Sequence, residues 1–208
     1  MTRKLITLKF MAALLIAPAL LLASPPDTQA ARKHVIKFAS LAPEGTTWMR
    51  VMRGLDRDIR KATKKTVRFR IYPGGVSGNE KDVVRKLRVG QLHAAGFTGV
   101  GLGEIVPATR LFELPFFFRS YAGVDAVHRE LDGWFEEALR KKGYTLLGWS
   151  EVGFAHFFSK NPVTSVEDLS RQKVWMWEGD PLARAYFEAM GVRPIPLAVT
   201  DVLTSLQT

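Results

Sequence analysis

Apolar and polar positions recur with two different periods along this chain, and the switches between them mark out its elements. The run His-Val-Ile-Lys-Phe-Ala-Ser at His34–Ser40 is short and β-rich, and predicts a first strand. Met49, Met52, Leu55, Ile59 and Ala62 then recur three or four residues apart, the stripe of an amphipathic helix opening near Trp48 with Thr46 or Thr47 as its cap. Val67-Arg-Phe-Arg-Ile71 alternates apolar and basic side chains, as a half-buried strand does. After the turn-rich residues 72–78, Asn79 caps a helix over 80–89 that turns Val83, Val84 and Leu87 inward and stops at Gly90. Residues 92–97 predict a third strand. The order β, α, β, α, β argues for an α/β fold with a mostly parallel sheet and flanking helices.

Further on, 111–118 is dense in aromatics and interrupted by Pro115, and reads as core or as a connection close to a hinge. Ser120 or Asp125 opens a helix through Val127, Leu131, Phe135 and Leu139 to a stop at Gly143. Residues 144–150 predict another strand, and 154–159 continue extended after Gly153. The stretch 160–190 then reads as a loop, a short apolar strand ending in Trp175 and Trp177, an acidic Gly179-Asp180-Pro181 turn, and a helix. Asp before a Pro at the first helical position is a strong start signal, because the carboxylate accepts from free helix N–H groups and Pro lacks one. A strand feeding a helix through a tight polar turn is where open α/β sheets place ligands. Domain boundaries follow: a first α/β lobe over 31–150 and the beginning of a second over 151–208.

Residues 1–30 read as a secretory signal peptide. Arg3, Lys4 and Lys9 precede an apolar run of about fourteen residues, short of the roughly twenty that span a bilayer, and Thr28-Gln29-Ala30 offers small residues at a cleavage site. An exported, periplasmic protein is the expectation.

Composition narrows the classes. The chain is 47% hydrophobic and 24% charged, an ordinary globular balance that excludes wholesale disorder. Its net charge of +10 is dispersed, with dense spots only at Lys61, Lys64, Lys65, Arg68 and Arg70 and at 140–142, so it reads as a solvated basic surface rather than a nucleic-acid footprint. The absence of cysteine excludes disulfides, thiol chemistry and a lipoprotein anchor.

Enzyme-like patterns fail on spacing. Thr98-Gly-Val-Gly-Leu-Gly103 lacks the third glycine at the dinucleotide offset and opens no clear helix, leaving a close-approach loop at a strand end. Gly148-Trp-Ser-Glu-Val-Gly153 is one residue too long for a nucleophile elbow. His34, His93, His128 and His156 show no metal-ligand spacing, so no metal and no cofactor is expected.

Several stretches carry a family likeness. These are Ile71-Tyr-Pro-Gly-Gly-Val-Ser-Gly-Asn-Glu80, Val84-Arg-Lys-Leu-Arg-Val-Gly-Gln-Leu92, Glu113-Leu-Pro-Phe-Phe-Phe118, Ser159-Lys-Asn-Pro-Val-Thr-Ser-Val-Glu-Asp-Leu169 with Lys173-Val174, Val192-Arg-Pro-Ile-Pro-Leu197 and Asp201-Val-Leu-Thr-Ser-Leu-Gln-Thr208. Taken in order they resemble the extracytoplasmic solute-binding subunits of TRAP transporters, the DctP-type family. The resemblance implies a two-lobed periplasmic-binding-protein-like fold, a small organic solute held between the lobes, and docking on an ion-gradient-driven TRAP permease. It also implies further chain after Thr208, so the second lobe is incomplete as given. A secreted sensor or interaction protein, or a periplasmic enzyme, are the alternatives.

Two departures from the family pattern matter. Members carry an arginine where this chain has Trp175, and many carry a second in a Gly-Phe-Arg context that here reads Gly153-Phe-Ala155. A guanidinium pairs a carboxylate through two parallel hydrogen bonds, which tryptophan cannot reproduce. The expected cleft is therefore flatter and more apolar, lined by Trp175, Trp177 and Phe154, with Asp180 and Glu178 as anionic acceptors near the helix mouth. Glu44, in the loop after the first strand, and Thr98, in the loop after the third, complete the candidate ligand-binding set. A neutral or aromatic solute, a hydrophobic acid held by its tail, or a cation caged by tryptophans would fit such a cleft.

Overall fold

A computed structural model describes residues 33–207. The signal-peptide expectation lies outside the described residues.

Strand β1 (His34–Ser40) is the centre of a parallel three-stranded sheet, with β2 (Val67–Tyr72) on one side and β3 (Ala94–Gly96) on the other. His34 stands opposite Val67 in one ladder, and Phe38 stands opposite Ala94 in the other. Parallel neighbours need crossovers, and helices α1 (Thr47–Ala62) and α2 (Glu80–Arg88) supply them. The Thr46 hydroxyl accepts from the Met49 N–H to start α1. Asn79 and Asp82 form a reciprocal capping box at α2, each side chain accepting from the other's backbone N–H. A one-turn helix α3 (Gly99–Gly103), a 3₁₀ segment (Pro107–Glu113) and the long helix α4 (Tyr121–Lys141) follow. Phe135 and Leu139 of α4 are buried, and Leu139 packs with Val84, Ile105 and Val106.

The second sheet holds β4 (Trp175–Trp177) and β5 (Ile195–Leu197), parallel and joined by α6 (Pro181–Ala189); α5 (Val166–Ser170) precedes them and α7 (Val199–Leu206) follows. Val174 and Met176 are buried with Leu169, Phe187 and Val192, so alternation puts Trp175 and Trp177 on the opposite face. A parallel α/β architecture with two sheets is thus present, the first within 34–96 and the second within 175–197.

Three expectations are corrected and a fourth holds in part. Residues 144–150 form no ladder among the described residues, since no strand lies alongside to accept their backbone bonds. The glycine-rich loop does open a helix, because Thr98 caps α3 and neighbouring carboxylates receive its free N–H groups. The stretch before β4 contains a helical turn rather than loop alone: Ser165 and Asp168 cap α5 reciprocally. The 111–118 segment is only partly core, with Phe112 packed against Phe135 while Phe116 is 81% exposed.

Candidate functional site

The chain leaves β1 for β2 on one side and returns past it to β3 on the other, so the loops at their carboxyl ends diverge between β1 and β3. Open α/β sheets bind ligands at such a switch point. Here Ser40, Leu41, Ser77, Glu80, Gly96 and Phe97 border a recess of ≈ 10 Å³, about enough for one water and too small for an organic solute.

Glu80 is the buried charge of this end. One carboxylate oxygen accepts from the Thr98 N–H at 2.6 Å; the other accepts from the Thr98 hydroxyl at 2.6 Å and the Gly101 N–H at 2.9 Å. All three contacts donate to the carboxylate, an arrangement that favours its anionic form. Burial nevertheless pushes its pKa up, against the hydrogen bonds from Thr98 and Gly101 and with help from the charge of Glu113. The Gly99 N–H donates to Glu113, and the Val100 N–H to the Thr98 hydroxyl. Each free donor of the first turn of α3 therefore has an acceptor. Gly101 has to lack a side chain, since a Cβ there would sit 2.3 Å from the Phe97 ring.

From Glu113 the network crosses to the second sheet. Arg110 Nε lies 2.8 Å from Glu113 Oε2, an ion pair in which that N–H is not aimed at the oxygen. Arg110 also donates through Nη2 to Asp180 Oδ2 at 2.8 Å. Burial works against the guanidinium, but the Asp180 hydrogen bond and the charges of Glu113 and Asp180 outweigh it and keep it protonated. Asp180 uses its other oxygen to accept from the Leu182 and Ala183 N–H groups at the start of α6. Two further approaches run along the same seam. A Cβ on Gly179 would lie 3.1 Å from Lys81 Nζ, which pairs with Glu104 at 3.1 Å, and a Cβ on Gly75 would lie 2.8 Å from a Thr200 methyl group.

The sequence-predicted residues fall into three groups. Asp180 and Thr98 stand at the carboxyl ends of the two sheets, but their oxygens are engaged in capping and in the Glu80 and Arg110 contacts. Trp175 and Trp177 are half-buried with ring centres 5.7 Å apart, and the Trp175 indole N–H donates to the Leu197 carbonyl at 3.0 Å. Glu178 is exposed beside them, its own N–H donating to the same carbonyl. Phe154 packs against Tyr121 at the start of α4, with centroids 5.2 Å apart. Glu44 is an exposed partner of Arg53, whose hydrogen bond holds its carboxyl below the usual range.

Two residues central to the seam were missed by sequence reasoning. Glu80 gave only the signal of a first-turn helix acid. Arg110 shows a local partner in Glu113 three positions on, but nothing in the sequence points to Asp180, 70 residues away. Away from the seam, His128 pairs with Asp132 at 2.7 Å and stacks on Phe112 beside an open recess that includes Trp149 and Glu151. Among the described residues no cluster of three or more His, Cys, Asp or Glu side chains could hold a metal ion.

Comparison with known proteins shows the family. Residues 38–208 match the family described as bacterial extracellular solute-binding protein, family 7, DctP. A protein named solute-binding protein from Chromohalobacter salexigens is 30% identical over 157 residues, covering 73% of this chain and 46% of the relative. A TRAP periplasmic solute-binding protein from Sulfitobacter sp. NAS-14.1, solved with bound β-D-galacturonate, is 25% identical with a TM-score of 0.75, covering 83% of this chain and 58% of that one. One from Pseudomonas putida F1, with bound D-glucuronate, is 26% identical with a TM-score of 0.74 and covers 83% of this chain and 57% of that one. The chain spans about half the length of the curated relatives it matches. With that match running across both sheets, the chain belongs to the DctP family of bacterial extracellular solute-binding proteins.

Proposed function

We propose that this chain is the solute-capturing part of a periplasmic, exported binding protein that delivers a small organic solute to an ion-gradient-driven TRAP permease. The lobes run over 31–150 and 151–208, with the solute between them at the seam where the carboxyl ends of both sheets meet. Its work is binding rather than catalysis. The observation that carries this reading is the approach of the two sheet ends through Arg110 and Asp180 in a chain of this family.

The charge inventory at the seam bears on the solute. Arg110 is shared between Glu113 and Asp180, and Lys81 is paired with Glu104. Glu178 adds a further negative charge at the surface, and Trp175 stands where the family resemblance places a carboxylate-binding arginine. A buried carboxylate without a cationic partner is strongly disfavoured. The favoured solute is therefore neutral, aromatic or cationic, held against Trp175 and Trp177. A second reading, a sugar acid, is favoured by the galacturonate and glucuronate bound to the two solved relatives.

Titration calorimetry on the complete protein separates them. Aromatic amines and neutral aromatics are expected to bind, with affinity falling in Trp175→Ala, while D-glucuronate does not. Tight D-glucuronate binding overturns the solute class, and no binding of any class overturns the function.

A further inference from the structure

The buried ion pair between Arg110 and Asp180 joins elements that share no other ladder or helix. Arg110 is prepared by its own side of the seam. Its stem lies against Gly103, where a Cβ would come within 2.8 Å of Arg110 Cδ, and Glu113 sits beside its Nε. Asp180 is prepared by the other side, fixed as the cap of α6 through the Leu182 and Ala183 N–H groups. Side-chain exposures of 14% and 8% leave little water to screen the pair. Each partner is thus fixed within its own unit, and their ion pair is the directional contact between the units, beside the ring contact of Phe116 with Tyr186 (centroids 6.1 Å apart) and the close approaches at Gly179 and Gly75. Removing either partner strands a buried charge.

We infer that Arg110 and Asp180 are positioning residues that fix the relative pose of the two sheets, so that this ion pair orients the Glu178–Gly179–Asp180 turn and the tryptophans before it against the first sheet. This rests on the two-unit reading of the proposed function and not on the identity of the solute. The pair acts on orientation: Gly179 against Lys81 and Gly75 against Thr200 are close approaches without directional bonds, and they tolerate sliding where an ion pair between two fixed groups does not.

Because the chain has no cysteine, two introduced cysteines label cleanly. Arg57→Cys on α1 and Ala185→Cys on α6, both at exposed positions, carry spin labels whose separation is read by pulsed dipolar spectroscopy in the full chain. Asp180→Asn keeps a capping side chain, since Asn caps about as well as Asp, but removes the charge. Arg110→Gln removes the charge from the other side. The expected result is one narrow distance distribution for the labelled parent and a second, longer population in both variants, with far-UV circular dichroism unchanged. Asp180→Ala is expected to show the same distance change as Asp180→Asn together with a lower melting temperature, because it also loses the cap. A parent distribution that is already broad, or variants that reproduce the parent's, overturns the inference. A chain that binds no solute yet shows the narrow distribution and its loss in both variants removes the functional reading and leaves the positioning role standing.

Discussion

Replacing Glu80 by alanine tests the junction on which the first sheet's loop end depends. The side chain accepts three hydrogen bonds, two from backbone N–H groups, at Thr98 and Gly101, that have no other acceptor among the described residues. Hydrogen bonds to a charged group contribute about 1.5–3 kcal/mol each, and a buried donor left alone costs about 1–3 kcal/mol. Helix α3 cannot offset such a loss, because Gly99, Gly101 and Gly103 make up three of its five residues and each costs roughly 1 kcal/mol relative to alanine. The Thr98 hydroxyl can rotate toward another partner, so the orphaned pair of N–H groups dominates, and Glu80→Ala is expected to cost about 3–5 kcal/mol. Glu80→Gln is milder. Its carbonyl oxygen still accepts from Thr98, while its NH₂ faces the Gly101 N–H, leaving one orphan worth about 1–3 kcal/mol. Urea unfolding followed by circular dichroism reads both as shifts in midpoint at constant slope. A loss below about 1 kcal/mol for Glu80→Ala, or equal losses for the two variants, would refute the idea that this carboxylate organises the loop.

The same residue sets a pH dependence. Its folded pKa is raised above the ordinary value of 4.5, so the folded state holds the proton more tightly than the unfolded one. The free energy of unfolding therefore falls as pH rises from that ordinary value to the folded one, and this contribution is level on either side. Urea midpoints measured across this range should show the decline in the parent and not in Glu80→Gln. Phe135, only 1% exposed beneath α4, should cost about 3–5 kcal/mol when cut to alanine. A calorimetric melt with little change would mean that the packing of α4 is not a unit of stability. Asn79→Ala breaks the capping box of α2 and should cost about 1 kcal/mol, read from the urea midpoint.

Much of the first sheet was legible because its elements announce themselves locally. The Val67–Ile71 alternation, the Met49–Ala62 stripe and the Asn79 and Ser120 caps are each decided within one or two turns of chain, and each stands where the sequence puts it. Residues 144–150 failed for the opposite reason. Their composition suits a strand, but a strand needs a neighbour, and pairing is not a local property. The helix at Gly99 was not legible because its support comes from Glu80 and Glu113, 21 and 14 positions from the Gly101 and Gly99 N–H groups they accept, against a glycine-rich sequence that argues for loop.

The site repeats the contrast within single residues. Period-2 alternation puts Trp175 and Trp177 on one face of β4 and Met176 on the other, yet all three are apolar, so the sequence cannot say which face is the core. The buried side is Met176, with Leu169 and Phe187, and this leaves the tryptophans half-buried and open to a second role. Asp180 was readable as a cap from the Pro that follows it, and its capping oxygen does that work. Its second oxygen is spoken for by Arg110, a partner no local pattern reveals. That pairing changes what the missing arginine at position 175 means. A cation does stand at the seam, but two carboxylates already neutralise it, so it does not replace a carboxylate-binding guanidinium. Freeing Arg110 for a solute acid would leave Asp180 buried and unpaired, at a cost of several kcal/mol that the incoming acid would first have to offset. The proposal of a neutral, aromatic or cationic solute thus rests on the saturation of Arg110 as much as on the presence of Trp175.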